Sequence, residues 1–229
     1  PVTEHMSEWE MLIPLFKERF PVTDHNPESK LDWLEAVWKQ CGSGIFNTSH
    51  FFKWDSESGF SPILNYDRVC FNDIDGYSEY IEMISDNTSI LADGMPANNV
   101  LLAGSRGCGK SSLVKAASNE FASKGVKTVE ISKRQAHHLD KLFEQISKRG
   151  IKFIIFIDDI SFDESEIEFK EFKSSLEGCS ARKPDNAVIY ATSNRRHMVS
   201  EHSSELSDDI HSNDTLNEKV SLSDRFGIT

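Results

Sequence analysis

Short apolar runs alternate with stretches of helical periodicity from about residue 65 onward. Apolar runs bounded by turn signals are typical of strands that are buried within a sheet. The pattern predicts strands at 99–103, 127–132, 151–157 and 187–192, and the run at 151–157 is the most apolar of them. We therefore expect 151–157 to lie in the centre of the sheet.

Segments with helical spacing separate these strands. The pattern predicts helices at 110–122, around 139–146 and at 164–176, because apolar residues three and four positions apart share one helix face. The predicted inward-facing residues are Leu139, Leu142, Phe143 and Ile146 in the second helix and Ile167, Phe172 and Leu176 in the third. Strands that alternate with helices predict a parallel sheet, covered on both faces and connected by right-handed crossovers.

The two ends of the chain differ from this pattern. Residues 1–60 contain all four tryptophans and short helical patterns, so we expect a mainly helical segment that packs on a domain at 61–229. Binding of a partner is the alternative explanation for these aromatic residues. Residues 199–224 carry seven acidic residues against one lysine, which predicts an acidic loop at 199–222 that is either mobile or a weak helix.

Composition limits the class of protein. A chain of 229 residues with 38% hydrophobic and 27% charged residues suits one large domain with an appended segment and excludes disorder throughout. A net charge of −12 argues against a broad nucleic-acid surface and leaves only a local basic patch for such binding. The four cysteines form no Cys-x-x-Cys pair, so we expect reduced thiols in a cytoplasmic protein. No apolar run approaches the roughly 20 residues of a membrane span.

A phosphate-binding motif joins the first of these strands to the helix after it. Residues 104–111, Gly-Ser-Arg-Gly-Cys-Gly-Lys-Ser, fit G-x-x-x-x-G-K-[ST], with an incidental glycine-rich turn as the alternative. Glycines let the backbone approach phosphate closely, and the N–H groups of a helix N-terminus favour negative charge. We expect Lys110 to contact the β- and γ-phosphates and the Ser111 hydroxyl to ligate Mg²⁺. The predicted nucleotide-binding residues are Gly104, Arg106, Gly107, Cys108, Gly109, Lys110, Ser111 and Ser112.

An acidic pair ends the most apolar strand. In P-loop proteins an aspartate at such a strand end is the second anchor for Mg²⁺, so we expect Asp158 to hold the metal together with Ser111. Asp159 is then the candidate that orients or deprotonates the attacking water. An ordinary strand-end turn with a capping aspartate is the alternative. Because Asp159 is one methylene shorter than glutamate, we expect hydrolysis to be slow.

These features together resemble an AAA+ ATPase. The phosphate loop, the acidic strand end and the Thr192-Ser193-Asn194 stretch occur in the order of that family. The resemblance implies that Asn194 contacts the γ-phosphate or the attacking water, and that Arg225 is an arginine finger for a neighbouring subunit's nucleotide. The stretch 67–76 resembles the segment that cradles adenine, which implies contacts from Val69, Phe71 and Gly76.

A narrower resemblance covers roughly residues 60–228. Five stretches together resemble the bacterial AAA+ family known as domain of unknown function 815: 95–102, 107–115, 158–162, 173–178 and 190–197. That family has the same Asp-Asp pair at the strand end. Its closest functional analogues, helicase loaders and transposition helpers, are related to it by fold only.

The resemblance also implies a fold and a function. The fold is a P-loop, AAA+ type three-layer α/β/α domain with a mostly parallel, five-stranded sheet. AAA+ modules continue into a helical lid, whereas this chain stops at Thr229, so the lid is expected to be absent from it. The implied ligands are ATP and Mg²⁺, in a homo-oligomer such as a hexamer that uses ATP hydrolysis to remodel or load a macromolecular partner. A nucleotide-gated binding module with little turnover is the alternative, and a small-molecule kinase or a GTPase is a third class.

Overall fold

A computed structural model describes residue 38 and the ranges 42–160, 183–194 and 226–228. The strands in these ranges are β1 (Phe51–Asp55), β2 (Gly59–Pro62), β3 (Val100–Ala103), β4 (Val126–Ile131), β5 (Lys152–Ile157) and β6 (Ala187–Ser193). The α-helices are α1 (Ser78–Ala92), α2 (Lys110–Phe121) and α3 (Leu139–Ser147), with short 3-10 segments at 44–47, 71–73, 122–124 and 133–138.

The described strands form a single six-stranded sheet in the order β2-β1-β4-β5-β6-β3. Strands β1 and β2 form an antiparallel hairpin, and every other pairing in the sheet is parallel. The predicted α/β class with a mostly parallel sheet is confirmed. The most apolar run, β5, has a strand on each side, as its burial on both faces requires.

The predicted count of five strands is wrong, because the four strands that the pattern predicts are joined by the two strands of the hairpin. Residues 51–60 belong to the segment 1–60, for which the tryptophans and short helical patterns predicted a mainly helical structure. The aromatic residues of β1 instead alternate across the sheet: Phe51 packs into one core cluster, whereas Phe52 and Trp54 pack into the other. This period of two is the pattern of a strand. The domain boundary near residue 60 stays a prediction.

Helices cover both faces of the sheet. Ile84 and Leu91 of α1 share a core cluster with α2, while α3 packs into the cluster on the opposite face. The four residues predicted to face inward in the second helix are all buried: Leu139, Leu142, Phe143 and Ile146. Burial of each such side chain contributes about 1.5–3 kcal/mol relative to exposure.

Helix α1 is attached to the sheet by a buried polar network. Asn87 donates to the Tyr190 hydroxyl at 3.1 Å and to the Asn98 carbonyl at 2.9 Å. Thr88 donates to the Ile84 carbonyl at 2.7 Å, so the Tyr190 hydroxyl is the donor in its 2.8 Å contact with Thr88. Burial raises the pKa of Tyr190. The network holds α1 beside the end of the sheet where β3 begins.

Residues 226–228 run alongside β3. Val100 and Ile228 form a parallel bridge, and Leu101 N–H donates to the Ile228 carbonyl at 2.9 Å. Phe226 is buried in the cluster that also contains α3. The helix expected at 164–176, the acidic loop at 199–222 and the segment before Trp38 lie outside the described residues. No described helix has the length and apolarity to cross a membrane.

Candidate functional site

The phosphate-loop motif lies where the sequence places it, between the carboxyl end of β3 and the first residue of α2. Gly107 and Gly109 have φ angles of 79° and 83°, a left-handed conformation that favours glycine. An ideal Cβ built on either residue would meet no atom within 4 Å, so the loop backbone is open on that side. Gly109 is the N-cap of α2, which places unpaired helix N–H groups beside the loop.

The Lys110 ammonium lies against the loop itself. Its Nζ donates to the Gly104 carbonyl at 3.0 Å and to the Ser105 carbonyl at 2.8 Å, and it lies 3.5 Å from the Cys108 Sγ. The loop is also fixed to the neighbouring strand, because Gly104 N–H donates to the Ser193 carbonyl at 3.1 Å. A positive charge and the N-terminus of α2 therefore occur together on the loop.

A hydrogen bond joins the loop helix to the acidic strand end. Ser111 Oγ donates to Asp158 Oδ1 at 2.6 Å, and Thr192 Oγ1 donates to the same oxygen, also at 2.6 Å. The two residues predicted as metal ligands, Ser111 and Asp158, are thus brought into direct contact. Hydroxyl and carboxylate oxygens are the donors that Mg²⁺ prefers, so this set fits that ion.

Asp159 lies beside Asn194 because β5 and β6 are parallel neighbours whose carboxyl ends meet at one edge. Asn194 Nδ2 donates to Asp159 Oδ1 at 2.7 Å, and Asp159 N–H donates to Thr192 Oγ1 at 2.8 Å. The structure therefore brings together two of the three predicted catalytic residues. The third, Arg225, lies outside the described residues and stays a prediction.

Thr192 is a residue of the candidate site that sequence reasoning missed. It was noted only as part of the stretch that ends in Asn194, yet its hydroxyl contacts both aspartates of the acidic pair. The available signal was a polar residue placed before the end of an otherwise apolar strand. A threonine at such a position is also common where it only makes a hydrogen bond at the end of a strand. The pairing of β5 with β6 in the structure is therefore needed to show what the hydroxyl contacts.

A cavity of about 420 Å³ opens next to the phosphate loop. Its lining combines loop residues with apolar and aromatic side chains: Ile74, Tyr77, Tyr80, Leu102, Ala103, Cys108, Gly109, Lys110 and Leu113. The predicted adenine contacts Val69, Phe71 and Gly76 are outside this lining and stay predictions. The aromatic residues of the cavity come from the N-terminal end of α1, just after the predicted segment.

The predicted adenine segment is nevertheless held against α2. Lys115 Nζ donates to Asp67 Oδ2 at 2.7 Å, and this hydrogen bond and charge hold the pKa of Asp67 below its usual range. Asn119 Nδ2 donates to the carbonyls of Asp67 and Val69 at 2.9 and 2.7 Å. Because Asp67 is exposed, we attribute the attachment mainly to the Asn119 hydrogen bonds.

The architecture defines the class of protein. A mostly parallel sheet with helices on both faces, and a glycine-rich loop that leads from a strand into a helix N-terminus, make an α/β fold of P-loop type. The chain belongs to the family described as Protein of unknown function (DUF815), whose sequence profile matches residues 47–229. A comparison with curated proteins finds no match.

Solved structures of RuvB from Thermotoga maritima show a partial similarity. One of them, described as the RuvB Holliday junction branch migration motor, has 16% identity and a TM-score of 0.43. A RuvB variant from the same organism has 17% identity and a TM-score of 0.46. Each alignment covers 70% of this chain and 46% of that one, so the chain spans less than half the length of these structures.

Proposed function

We propose that this chain binds ATP with Mg²⁺ and hydrolyses the ATP at a site that a neighbouring subunit completes. The observation that carries the proposal is the 2.6 Å bond from Ser111 to Asp158, which joins the phosphate loop to the acidic strand end. Two parts of the chain that are 47 residues apart meet there, with the donor oxygens that Mg²⁺ prefers. An incidental glycine-rich turn has no reason to lie against a carboxylate in this way.

The loop and helix α2 supply the phosphate-binding groups. The backbone N–H groups at the N-terminus of α2 and the Lys110 ammonium are donors for phosphate oxygens. Binding requires Lys110 to exchange its contacts with the Gly104 and Ser105 carbonyls for phosphate contacts. The adjacent apolar and aromatic cavity suits a nucleotide base, with Tyr77 and Tyr80 as rings for stacking.

The acidic strand end supplies the groups for hydrolysis. Ser111 and Asp158 would hold Mg²⁺, which would supply positive charge to stabilise the transferring phosphoryl group. A water oxygen attacks the γ-phosphorus, the bond to the β–γ bridging oxygen breaks, and ADP and inorganic phosphate leave. In our proposal Asp159 accepts the proton of that water, and Asn194 orients the Asp159 carboxylate through its 2.7 Å hydrogen bond.

Arg225 of a neighbouring subunit completes the site in this proposal. A guanidinium next to the transferring phosphoryl group stabilises its charge, and arginine fingers contribute roughly 10³–10⁵-fold to kcat in related phosphoryl-transfer sites. The described segment 226–228 lies beside β3, so the backbone that follows Arg225 is attached to the strand that carries the phosphate loop. We further propose that the oligomer uses hydrolysis to remodel or load a macromolecular partner.

A nucleotide-gated binding module with little turnover is the second candidate function. The observation in its favour is that Asp159 is short and already engaged, since Asn194 and Thr192 hold its carboxylate and its backbone. A carboxylate held about an ångström from the position of a glutamate would align water poorly. Both candidates use the same nucleotide site and differ only in turnover.

Calorimetric titration of the full chain with ATP and Mg²⁺ tests the binding step. Removal of a charged hydrogen-bond donor costs about 1.5–3 kcal/mol, so we expect Lys110→Ala to weaken ATP binding roughly 10- to 150-fold. Lys124→Ala is the matched control, because it removes an exposed lysine just beyond the other end of α2. Absence of ATP binding by the wild-type chain would overturn the proposal. A parallel titration with GTP tests whether the site prefers adenine to guanine.

Phosphate release tests the hydrolysis step. We expect a rate per subunit that rises with protein concentration and falls sharply in Asp159→Asn and in Arg225→Ala, with ATP affinity little changed. A rate that is independent of concentration and unaffected by Arg225→Ala would contradict a shared site. Tight ATP binding without phosphate release over hours would select the second candidate.

A further inference from the structure

Thr192 makes two contacts that the proposed reaction does not by itself explain. It is the sixth residue of β6 and is only 2% exposed. Its hydroxyl donates to Asp158 Oδ1 at 2.6 Å and accepts from Asp159 N–H at 2.8 Å. The direction of both bonds is fixed, because an amide N–H can only donate and the single hydroxyl proton is then available to the carboxylate.

The hydroxyl belongs to a wider attachment of the 158–160 turn to β6. Ile160 N–H donates to the Thr192 carbonyl at 2.7 Å, and Ser193 Oγ donates to the Ile160 carbonyl at 3.0 Å. Asp159, between these bonds, has a φ of 54°. A left-handed conformation is unfavourable for most side-chain-bearing residues and persists where surrounding contacts hold it.

We propose that Thr192 is a positioning residue that sets the orientation of both aspartates; this inference rests on the proposed nucleotide site. Its hydroxyl fixes the side chain of Asp158, the expected metal ligand, and the backbone of Asp159, the expected base. Because Thr192 belongs to β6, the acidic pair is held from the neighbouring strand of the sheet as well as from helix α2. Changes in outer hydrogen-bond partners of metal ligands typically cost 10- to 100-fold in metal affinity or activity.

A hydroxyl deletion series separates this role from a purely structural one. Thr192→Ser and Thr192→Ala both lack the methyl group and differ only in the hydroxyl, while Thr192→Val keeps the shape and loses the hydroxyl. Thr128→Val is the matched control: Thr128 is a fully buried residue of β4 whose hydroxyl bonds to Ser118 Oγ at 2.6 Å. ATP affinity is measured with Mg²⁺ and again with EDTA, and exchange of the Asp159 amide is measured without nucleotide.

We expect Thr192→Ala and Thr192→Val to weaken ATP binding about 10- to 100-fold in Mg²⁺ and to leave binding in EDTA within about 3-fold of wild type. The Asp159 amide should exchange faster in both. Thr192→Ser and Thr128→Val should resemble wild type in all three measurements.

The outcomes distinguish this inference from the proposed function. A wild-type chain that binds ATP in neither condition contradicts the proposed function, whatever the amide exchange shows. A wild-type chain with Mg²⁺-dependent binding that Thr192→Ala and Thr192→Val leave unchanged overturns the positioning role. Equal losses of affinity with and without Mg²⁺ also overturn it, because they would show a general effect on the fold.

Discussion

Asp159, the proposed catalytic base, has an unfavourable backbone conformation. Its φ is 54°, and within the described ranges no other non-glycine residue has a positive φ. The left-handed region costs most residues roughly 1–2 kcal/mol, and Asn and Asp tolerate it better than longer side chains do. This preference gives a physical reason for aspartate, instead of the longer glutamate, at this strand end.

The cost of this backbone can be measured with a pair of substitutions. Asp159→Gly and Asp159→Ala both remove the bond to Asn194 and differ only in the Cβ. We expect the glycine variant to be more stable than the alanine variant by about 1 kcal/mol. A residue with a Cβ is sterically disfavoured at a positive φ, whereas glycine has no Cβ. Urea unfolding gives the two free energies of unfolding.

The same pair at Asp86 is the control for this measurement. Asp86 is exposed within α1, where alanine should be the more stable variant by about 1 kcal/mol. The same order of stability at both positions would contradict a left-handed Asp159.

Residues whose role depends on neighbours in the chain could be predicted from the sequence. The phosphate loop has fixed spacing, so Gly107, Gly109 and Lys110 could be proposed as site residues from their positions alone. Asp158 followed from its place at the end of an apolar strand. The places of Thr192 and Tyr80 in the candidate site could not be predicted, because they depend on which strand lies next to β5 and where α1 packs.

Helices and strands with strong periodicity were predicted well, whereas mixed segments were not. The face of α3 repeats at helical spacing and is buried as predicted. Helix α1 was not predicted individually, because polar residues such as Asn87 and Thr88 occupy its buried face and weaken the apolar repeat. Their partner Tyr190 is 102 or more residues away in the chain, so the compensating hydrogen bonds are invisible in a local pattern.

His50 connects three parts of the fold at the start of β1. Its Nε2 lies 2.9 Å from Asn119 Oδ1 of α2, and its Nδ1 lies 3.3 Å from the Tyr66 hydroxyl. Because Asn119 Nδ2 donates to two carbonyls, its Oδ1 faces His50 and accepts from Nε2–H. Burial lowers the pKa of His50, and the charges of Lys127 and Arg68 lower it further, against the opposing effect of the Asn119 hydrogen bond.

This lowered pKa predicts a loss of stability in acid. Between the folded pKa and the unfolded value near 6.5, the unfolded chain binds more protons than the folded one. The contribution of His50 is therefore complete above about pH 6.5 and is lost as the pH falls toward the folded pKa. We expect the melting temperature of His50→Gln to fall less steeply than that of the wild type as the pH drops below 6.5.

Melting curves from pH 8 to pH 5 provide the measurement, with His137→Gln as the control. His137 is an exposed histidine outside this contact. An unchanged pH dependence in His50→Gln would show that other groups cause the acid sensitivity.

At the scale of the whole molecule, the order of the strands assembles the site. Strand β6 lies between β5 and β3, so one strand contacts both the acidic turn and the phosphate loop. Local patterns predicted these three strands but not their order, which depends on packing between distant segments. The family resemblance gave the order of the motifs along the chain and a mostly parallel sheet, and strand β1 of the hairpin precedes the range it covers.

The last described segment lies on the free side of β3 and approaches it closely. A Cβ on Gly227 would lie 2.8 Å from Asn98 Cγ and Oδ1 and 3.1 Å from Asn98 Cβ. We expect Gly227→Ala to reduce the free energy of unfolding by about 1–3 kcal/mol, since overpacked contacts cost that much. Exchange of the Leu101 amide, which donates to the Ile228 carbonyl, should also accelerate.

A double-mutant cycle with Asn98→Ala tests whether this clash is the cause. The backbone of Asn98 keeps its bonds to Asn87 in that variant, while the two closest side-chain atoms, Cγ and Oδ1, are removed. Asn98→Ala should therefore recover most of the stability lost in Gly227→Ala, with a coupling energy of about 0.5–3 kcal/mol. Strictly additive effects would show that the segment does not pack on Asn98. A confirmed coupling would establish that Gly227 packs on Asn98, just before the strand that leads into the phosphate loop.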